Sequence, residues 1–403
     1  MLRRILVCVQ SFAKLTPNAN YRNPARAQGE TKMSDPKVFI FAPVDQADEC
    51  HQKLEKFGCE LSMGQAGWHS PQGDNEQDMI KMAQGATALM GTSIRSSPIT
   101  KSIMESSPNL RVVAKCTVGT DDIDVEAATE LGILVCHAPT ESNCYGVAEG
   151  TVAFILATLK KLYQRDVAVK SGNWRDPSLT GQYLGRRTTD DYPGLTLGLI
   201  GLGRIGARVA QLFAPWRMRI IATDPYIDDE RFIRNGVEKV DMDTLLRESD
   251  IVSMHCVNTK ETSKLMNAEQ FAKMKPTAIF VNTSRGANVD EIALAEALET
   301  DVISAAAIDA FADEPIDTNS RLKKLGDKVI LSPHMVSSNQ ASGLGPGYKW
   351  ATNAVLQALA GEVPNNVFNP EVIERWKERF GGTTTLTANE PIPDHPGYGP
   401  PNP

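Results

Sequence analysis

Two α/β domains built on parallel sheets are predicted for this chain of 403 residues, and three observations carry the prediction. Short apolar runs alternate with helical patterns from Lys37 to Ala360, the rhythm of a parallel sheet flanked by helices. The length suffices for two domains with separate cores. Mid-chain, Leu195 to Ile200 reads as a strand, Gly201, Gly203 and Gly206 form a tight turn, and Ala207 to Phe213 follows with helical spacing. Strand, glycine turn and helix together make the first βα unit of a dinucleotide-binding fold.

Composition narrows the class. A content of 41% hydrophobic and 23% charged residues is that of an ordinary globular chain. The net charge of −7 argues against a general nucleic-acid binder, whose footprint would be basic. Seven scattered cysteines lack metal-type pairing, so reduced thiols are expected, with no disulfide framework and no metal. No uncharged apolar run approaches the ~20 residues needed to span a bilayer, so no membrane partner is expected.

In chain order, Met1 to Gly29 holds Arg3, Arg4, Lys14, Arg22 and Arg26 and no acidic residue. Such a leader reads as an organelle transit peptide, or as a non-functional extension ahead of a start at Met33. The expected location is cytoplasmic, or mitochondrial if the leader is a transit peptide. Strands are predicted at Lys37–Ala42, Thr87–Met90, Arg111–Lys115 and Ile133–Val135. From about Val147 to Val169 an apolar segment with little polar face predicts a helix buried in its domain or against another subunit. Residues 171–194 read as loop.

Beyond the glycine turn, Met218–Thr223 is the next strand and Asp224 stands at its end, eighteen residues past Gly206. That is close to the roughly 20 expected for the carboxylate that binds a ribose diol. A carboxylate there repels a 2′-phosphate and favours NAD(H) over NADP(H). The blander reading makes Asp224 a turn residue before Pro225. Further strands are predicted at 251–255, 278–282, 302–308 and 329–331, and helices at 267–274, 290–298 and about 347–360, with Gly361 as a stop. Past Phe380 the Gly-, Thr- and Pro-rich tail predicts disorder, or a strap on the surface.

Three polar residues fall at or beyond predicted strand ends, the side on which open α/β sheets bind ligands: Arg285, Glu314 and His334. A guanidinium suits capture of a carboxylate and polarisation of a neighbouring carbonyl. A histidine suits proton transfer near neutral pH, and an adjacent carboxylate favours its protonated form. Spacing alone leaves three plainer readings open: Arg285 as a surface ion-pair partner, Glu314 as a turn residue before Pro315, and His334 as a satisfied loop histidine.

In order along the chain stand Val118-Gly119-Thr120-Asp121-Asp122-Ile123-Asp124, Asn143-Cys144-Tyr145-Gly146-Val147-Ala148-Glu149 and the glycine turn. Asn282-Thr283-Ser284-Arg285-Gly286, Ile308-Asp309-Ala310-Phe311 with Glu314-Pro315, and Ser332-Pro333-His334 follow. In these motifs the chain resembles the D-isomer-specific 2-hydroxyacid dehydrogenase family. The resemblance implies two Rossmann-like domains, the NAD-binding one (140–331) inserted into a discontinuous substrate domain (36–139 and 332–380). Residues 1–35 would be the leader and 381–403 a disordered tail.

The resemblance also implies an NAD-dependent interconversion of a D-2-hydroxy acid and its 2-oxo acid. His334 would be the acid/base, oriented by Glu314, and Arg285 would bind carboxylate and carbonyl. Asp309 would hold the nicotinamide carboxamide, and Thr283 would lie at the cofactor. Gly201, Gly203, Arg204, Ile205 and Gly206 would meet the pyrophosphate. Backbone N–H groups of Val118 and Gly119 would grip the substrate, with Ser93, Arg95 and Asn143 in its pocket. A homodimer through the helix near Val147–Leu159 is the family expectation. Two departures bear on substrate: Gly150-Thr151 follows Glu149 where many relatives carry bulk, and Met335-Val336-Ser337-Ser338 replaces a small-residue run. A long loop over Tyr183–Gly194 is a third.

Two other readings remain. A formate dehydrogenase shares the arginine and histidine but typically has glutamine where Glu314 stands, and formate oxidation needs no proton acceptor. An NAD-sensing protein of the corepressor type keeps all three residues, and fold does not fix function.

Overall fold

The computed structural model describes residues 35–43, 48–65, 73–93, 97–339, 344–388 and 390–392. The basic leader and Arg95 lie outside the described residues. The chain opens with β1 (Lys37–Ala42), α1 (Asp48–Lys56), β2 (Glu60–Met63), α2 (Glu76–Ala83), β3 (Ala88–Gly91), α3 (Lys101–Glu105), β4 (Val112–Lys115), α4 (Val125–Leu131) and β5 (Leu134–Cys136). These strands form a parallel sheet in the order β2-β1-β3-β4-β5. Successive residues feed opposite faces. Val38, Ile40, Met90, Val112 and Ala114 enter one core, and Phe39, Phe41, Leu89 and Val113 the other. Burial on both faces is why these strands read as unbroken apolar runs.

Next come α5 (Glu141–Leu159) and α6 (Leu162–Lys170). The long apolar helix therefore starts six residues earlier than the hydrophobic pattern suggests. The hydroxyl of Thr140 accepts from the backbone N–H of Asn143 and caps it there. It breaks at Lys161, whose φ of 51° is left-handed.

The second sheet follows: β6 (Thr196–Ile200), α7 (Arg204–Phe213), β7 (Arg219–Thr223), α8 (Asp229–Arg234), β8 (Glu238–Lys239), α9 (Met242–Glu248), β9 (Ile251–Met254), α10 (Ala268–Lys273), β10 (Ile279–Asn282), α11 (Glu291–Glu299), β11 (Ala305–Ile308) and β12 (Val329–Leu331). Its seven parallel strands run β12-β11-β10-β9-β6-β7-β8. The order reverses direction at β6, so a crevice opens at the carboxyl ends of β6 and β9, the ligand position of doubly wound sheets. The α/β class with two parallel sheets is as the sequence predicts.

The chain then returns to the first sheet with α12 (Gly345–Ala360) and α13 (Ile373–Phe380). The face Ala351, Ala354, Val355, Ala358 and Leu359 of α12 completes the core of the first sheet. Helix α13 is not apparent from the sequence pattern; its Trp376 is fully buried and donates to the Arg111 carbonyl at 2.9 Å.

Of the two readings of the tail past Phe380, disorder or a surface strap, its first part takes the second. Thr385 N donates to Leu359 O at 2.9 Å and Thr387 N to Phe57 O at 3.2 Å. Leu386, Ala388 and Ile392 pack on the first core. A few well-spaced apolar residues and paired backbone suffice to lay this strap down, which average composition hides. Residues 393–403 lie outside the described residues.

Candidate active site

The glycine turn is built as its residue types require. Gly201 has φ of 98°, and a Cβ there would lie 3.0 Å from the His255 carbonyl carbon. A Cβ at Gly206 would sit 2.2 Å from the Gly201 oxygen, so only glycine lets α7 approach β6. At Gly203 the same atom would meet nothing within 4 Å, so this glycine faces open space. No side chain caps the start of α7, leaving first-turn N–H groups, including that of Ile205, to meet an anion. Asp224 reaches back to the turn, its Oδ2 accepting from Leu202 N at 2.9 Å and its Oδ1 from Tyr226 N at 3.0 Å.

Arg204 is anchored within the protein. Its guanidinium donates to the Pro139 carbonyl at 2.5 Å and to that of Thr140 at 3.4 Å, where the chain first crosses between the sheets. Two carbonyls leaving β5 for α5 need donors, and Arg204 supplies them.

The three chemistry-bearing residues rise from loops stacked on one another. Asn282, at the end of β10, folds its loop by accepting from Ser284 N and Oγ and donating to Arg285 O. A Cβ on Gly286 would fall 1.8 Å from the Phe311 carbonyl carbon, so this glycine seats the Arg285 loop against the loop of Glu314. Glu314 Oε1 accepts from Phe311 N at 2.9 Å, and both its oxygens lie 2.9 Å from His334 Nδ1. An ionised carboxylate only accepts, so Nδ1 carries the proton. His334 itself has φ of 56°.

Arg285 spans the cleft. Its Nε donates to Asp121 Oδ2 at 2.7 Å and its Nη1 to Ser284 O at 2.8 Å. Its Nη2 lies beside Gly119, where a Cβ would come within 2.3 Å. The Val118–Gly119 loop is held from behind: His137 Nδ1 donates to Val118 O at 3.0 Å, and Thr117 Oγ1 to Gly119 O at 3.3 Å. Burial lowers the His137 pKa, with the Val118 carbonyl acting against that. Lys115, 0% exposed, donates to Asp122 at 2.6 Å and to Thr92 O at 2.7 Å. It thereby ties this loop to the turn carrying half-buried Ser93.

Two residues expected at the cofactor also make hydrogen bonds within the protein. Asp309 is 1% exposed, and its oxygens accept from Met335 N at 3.0 Å and Val336 N at 3.2 Å. Buried N–H groups after a left-handed residue need an acceptor, and Asp309 supplies one to the His334 loop. Thr283 turns its hydroxyl onto that of Thr151 at 2.8 Å, joining β10 to α5. Asn143 lies in the first turn of α5, and no described hydrogen bond joins it to Arg285, Glu314 or His334. Asp121 and Asn282 are the site residues sequence reasoning missed, although both stand inside quoted motifs.

Residues 152–336 match the model of the D-isomer specific 2-hydroxyacid dehydrogenase, NAD binding domain. The chain is 37% identical to the glyoxylate reductase of Thermofilum pendens over 85% of its own length and 97% of that protein's. It is 34% identical to D-3-phosphoglycerate dehydrogenase of Archaeoglobus fulgidus over 83% of its length, and spans only 60% of that longer relative. Its fold matches D-lactate dehydrogenase of Aquifex aeolicus, solved with NAD and lactic acid, with a TM-score of 0.69, 26% identity, and coverage of 84% and 98% of the two chains. With motifs, fold and relatives in agreement, the chain belongs to the D-isomer specific 2-hydroxyacid dehydrogenase family, and its second sheet is that family's NAD-binding domain.

Proposed function

We propose that the chain interconverts a D-2-hydroxy acid and its 2-oxo acid, with NAD(H) as the redox partner. The observation that carries the reading is the His334–Glu314 pair, with Nδ1 2.9 Å from both carboxylate oxygens, on loops stacked with that of Arg285. Glu314 fixes the tautomer, and Nε2 is left to exchange a proton with the substrate oxygen. In reduction, the imidazolium gives that proton to the carbonyl oxygen; in oxidation, the neutral ring removes it from the hydroxyl. Arg285 offers the end of its fork to carboxylate and carbonyl, stabilising negative charge where it develops on oxygen. Backbone N–H groups of Val118 and Gly119 grip the carboxylate from the other side.

The turn fits the dinucleotide. The open face of Gly203 and the uncapped start of α7 would hold its pyrophosphate, and Asp224 its ribose diol. Bound there, NAD(H) supplies or accepts the hydride. Lys115 is engaged by Asp122 and Thr92, so among the described residues at this loop Arg285 is the cation that faces it. The 37% identity to a glyoxylate reductase over 97% of that protein's length supports a short 2-oxo acid with one carboxylate over a phosphorylated one.

A homodimer is part of the proposal. The exposed apolar side chains Leu162, Tyr163, Val167 and Val169 on α6, with Trp174 at 74% exposure just after it, favour burial by a second copy. Sedimentation of the full chain tests this, with a monomer at micromolar concentration as the contrary result.

The test of function is NADH oxidation over glyoxylate, hydroxypyruvate, pyruvate and phosphohydroxypyruvate, with formate plus NAD as control. Turnover of the unphosphorylated oxo acids is expected. Turnover of formate alone overturns the substrate class. Tight NADH binding without any turnover overturns the enzyme reading in favour of a sensor.

A further inference from the structure

The chain passes from the second sheet back to the first through the stretch that begins at His334. That stretch is laid along α5, the helix that follows the first crossing. A Cβ on Gly150 would lie 1.9 Å from Val336 Cγ2 and 2.9 Å from Val336 O. One turn earlier, a Cβ on Gly146 would lie 2.7 Å from Asn339 Nδ2 and 3.0 Å from Ser337 O. Residues 336–339 therefore occupy the volume that two missing side chains of α5 leave open. The two local departures from the family pattern meet at one contact: α5 lacks bulk at 150 where the return segment carries it at 336.

Val336 is β-branched and stiff at χ1, so it acts as a fixed knob in the Gly150 hole. Its backbone N–H is held at the same time by Asp309, which also holds Met335 N. His334, two residues earlier, sits in a left-handed conformation that a non-glycine residue keeps only when its surroundings impose it. Glu314 fixes the ring from one side, and Asp309 with the Gly150 hole fixes the backbone from the other.

We infer that the Val336 knob in the Gly150 hole seats the His334 loop, making Val336 and Gly150 positioning residues for proton transfer; this rests on His334 being the acid/base. Neither touches the reacting atoms. Their effect runs through where the imidazole is held, and a small displacement of a reacting group costs rate steeply.

The experiment compares Gly150→Ala, Val336→Ala and the double variant with the unmodified chain, using oxoacid reduction and NADH binding by fluorescence. In an α-helix, alanine is intrinsically better than glycine, so harm from Gly150→Ala is steric. Gly150→Ala is expected to lower kcat about tenfold or more, with oxoacid KM and NADH affinity within about threefold. Adding Val336→Ala, which removes the Cγ2 collision and leaves the Val336 carbonyl oxygen 2.9 Å away, is expected to restore part of the loss. A kcat for Gly150→Ala within about twofold of the unmodified chain overturns the inference, and so does a double variant no better than Gly150→Ala. Should Gly150→Ala not fold, Val336→Ala alone decides: lowered kcat at constant KM supports the seat, and unchanged kcat overturns it. His334→Ala is run alongside. Unchanged activity there overturns the acid/base reading and the inference with it, whereas lost activity there with an unaffected Gly150→Ala overturns the inference alone.

Discussion

Arg285 Nε and Asp121 Oδ2 lie 2.7 Å apart, and this ion pair joins a loop of the second sheet to a loop of the first. With side chains 30% and 53% exposed, the pair adds at most about 1 kcal/mol to stability. Its consequence is orientation. Asp121 takes Nε, Ser284 O takes Nη1, and the edge beside Gly119 is left for a ligand.

Asp121→Asn keeps the shape but weakens the hold on the guanidinium. We expect kcat/KM for oxoacid reduction to fall roughly tenfold, with a change in stability below about 1 kcal/mol. Steady-state kinetics with a thermal melt checks this, and an unaltered kcat/KM would remove Asp121 from the site.

Asp224→Ser removes a carboxylate that faces the turn. NADH affinity should drop about tenfold, while the preference for NADH over NADPH narrows because the repulsion of a 2′-phosphate is gone. Titrating both cofactors by fluorescence measures the ratio. A ratio equal to that of the unmodified chain would assign Asp224 to the turn alone.

His255 follows β9 beneath the glycine turn. Its Nε2 lies 2.9 Å from Ser253 Oγ, its Nδ1 is shut from solvent with no hydrogen-bond partner among the described residues, and burial pushes its pKa down to about 4. The ordinary value is 6.5. Between these values the unfolded chain takes up a proton that the folded one refuses, so stability is full above pH 6.5 and is lost as pH falls toward 4. The loss should reach on the order of 2–3 kcal/mol. Melting temperature against pH for the unmodified chain and His255→Asn should diverge in slope across this window; parallel curves would show that other groups set the acid sensitivity.

Much of this site was legible because its residue types have few alternative uses. Three glycines at fixed spacing admitted one geometry, and the carboxylate eighteen residues on reaches back to that turn through Leu202 N. Arg285, Glu314 and His334 stood at or beyond strand ends, where a doubly wound sheet leaves its crevice. What escaped were partners set by tertiary packing. Asp309 accepts from the turn at His334 and Thr283 pairs with Thr151, contacts that no spacing argument locates. Arg204 points at two carbonyls of the first crossing that no spacing argument locates. The start of α5 was placed too late because the apolar pattern begins after its cap, Thr140. Between disorder and a surface strap past Phe380 the sequence could not choose, because the strap's holds are backbone bonds to Leu359 and Phe57, remote in sequence.

The central claim is that His334, held by Glu314, moves the proton in an NADH-dependent oxoacid reduction. It is tested most directly by measuring kcat for glyoxylate reduction in the unmodified chain and in His334→Ala under saturating NADH. The account predicts turnover in the first, a loss of about 10²–10⁴-fold in the second, and NADH affinity preserved in both. Equal turnover by the two proteins would contradict it.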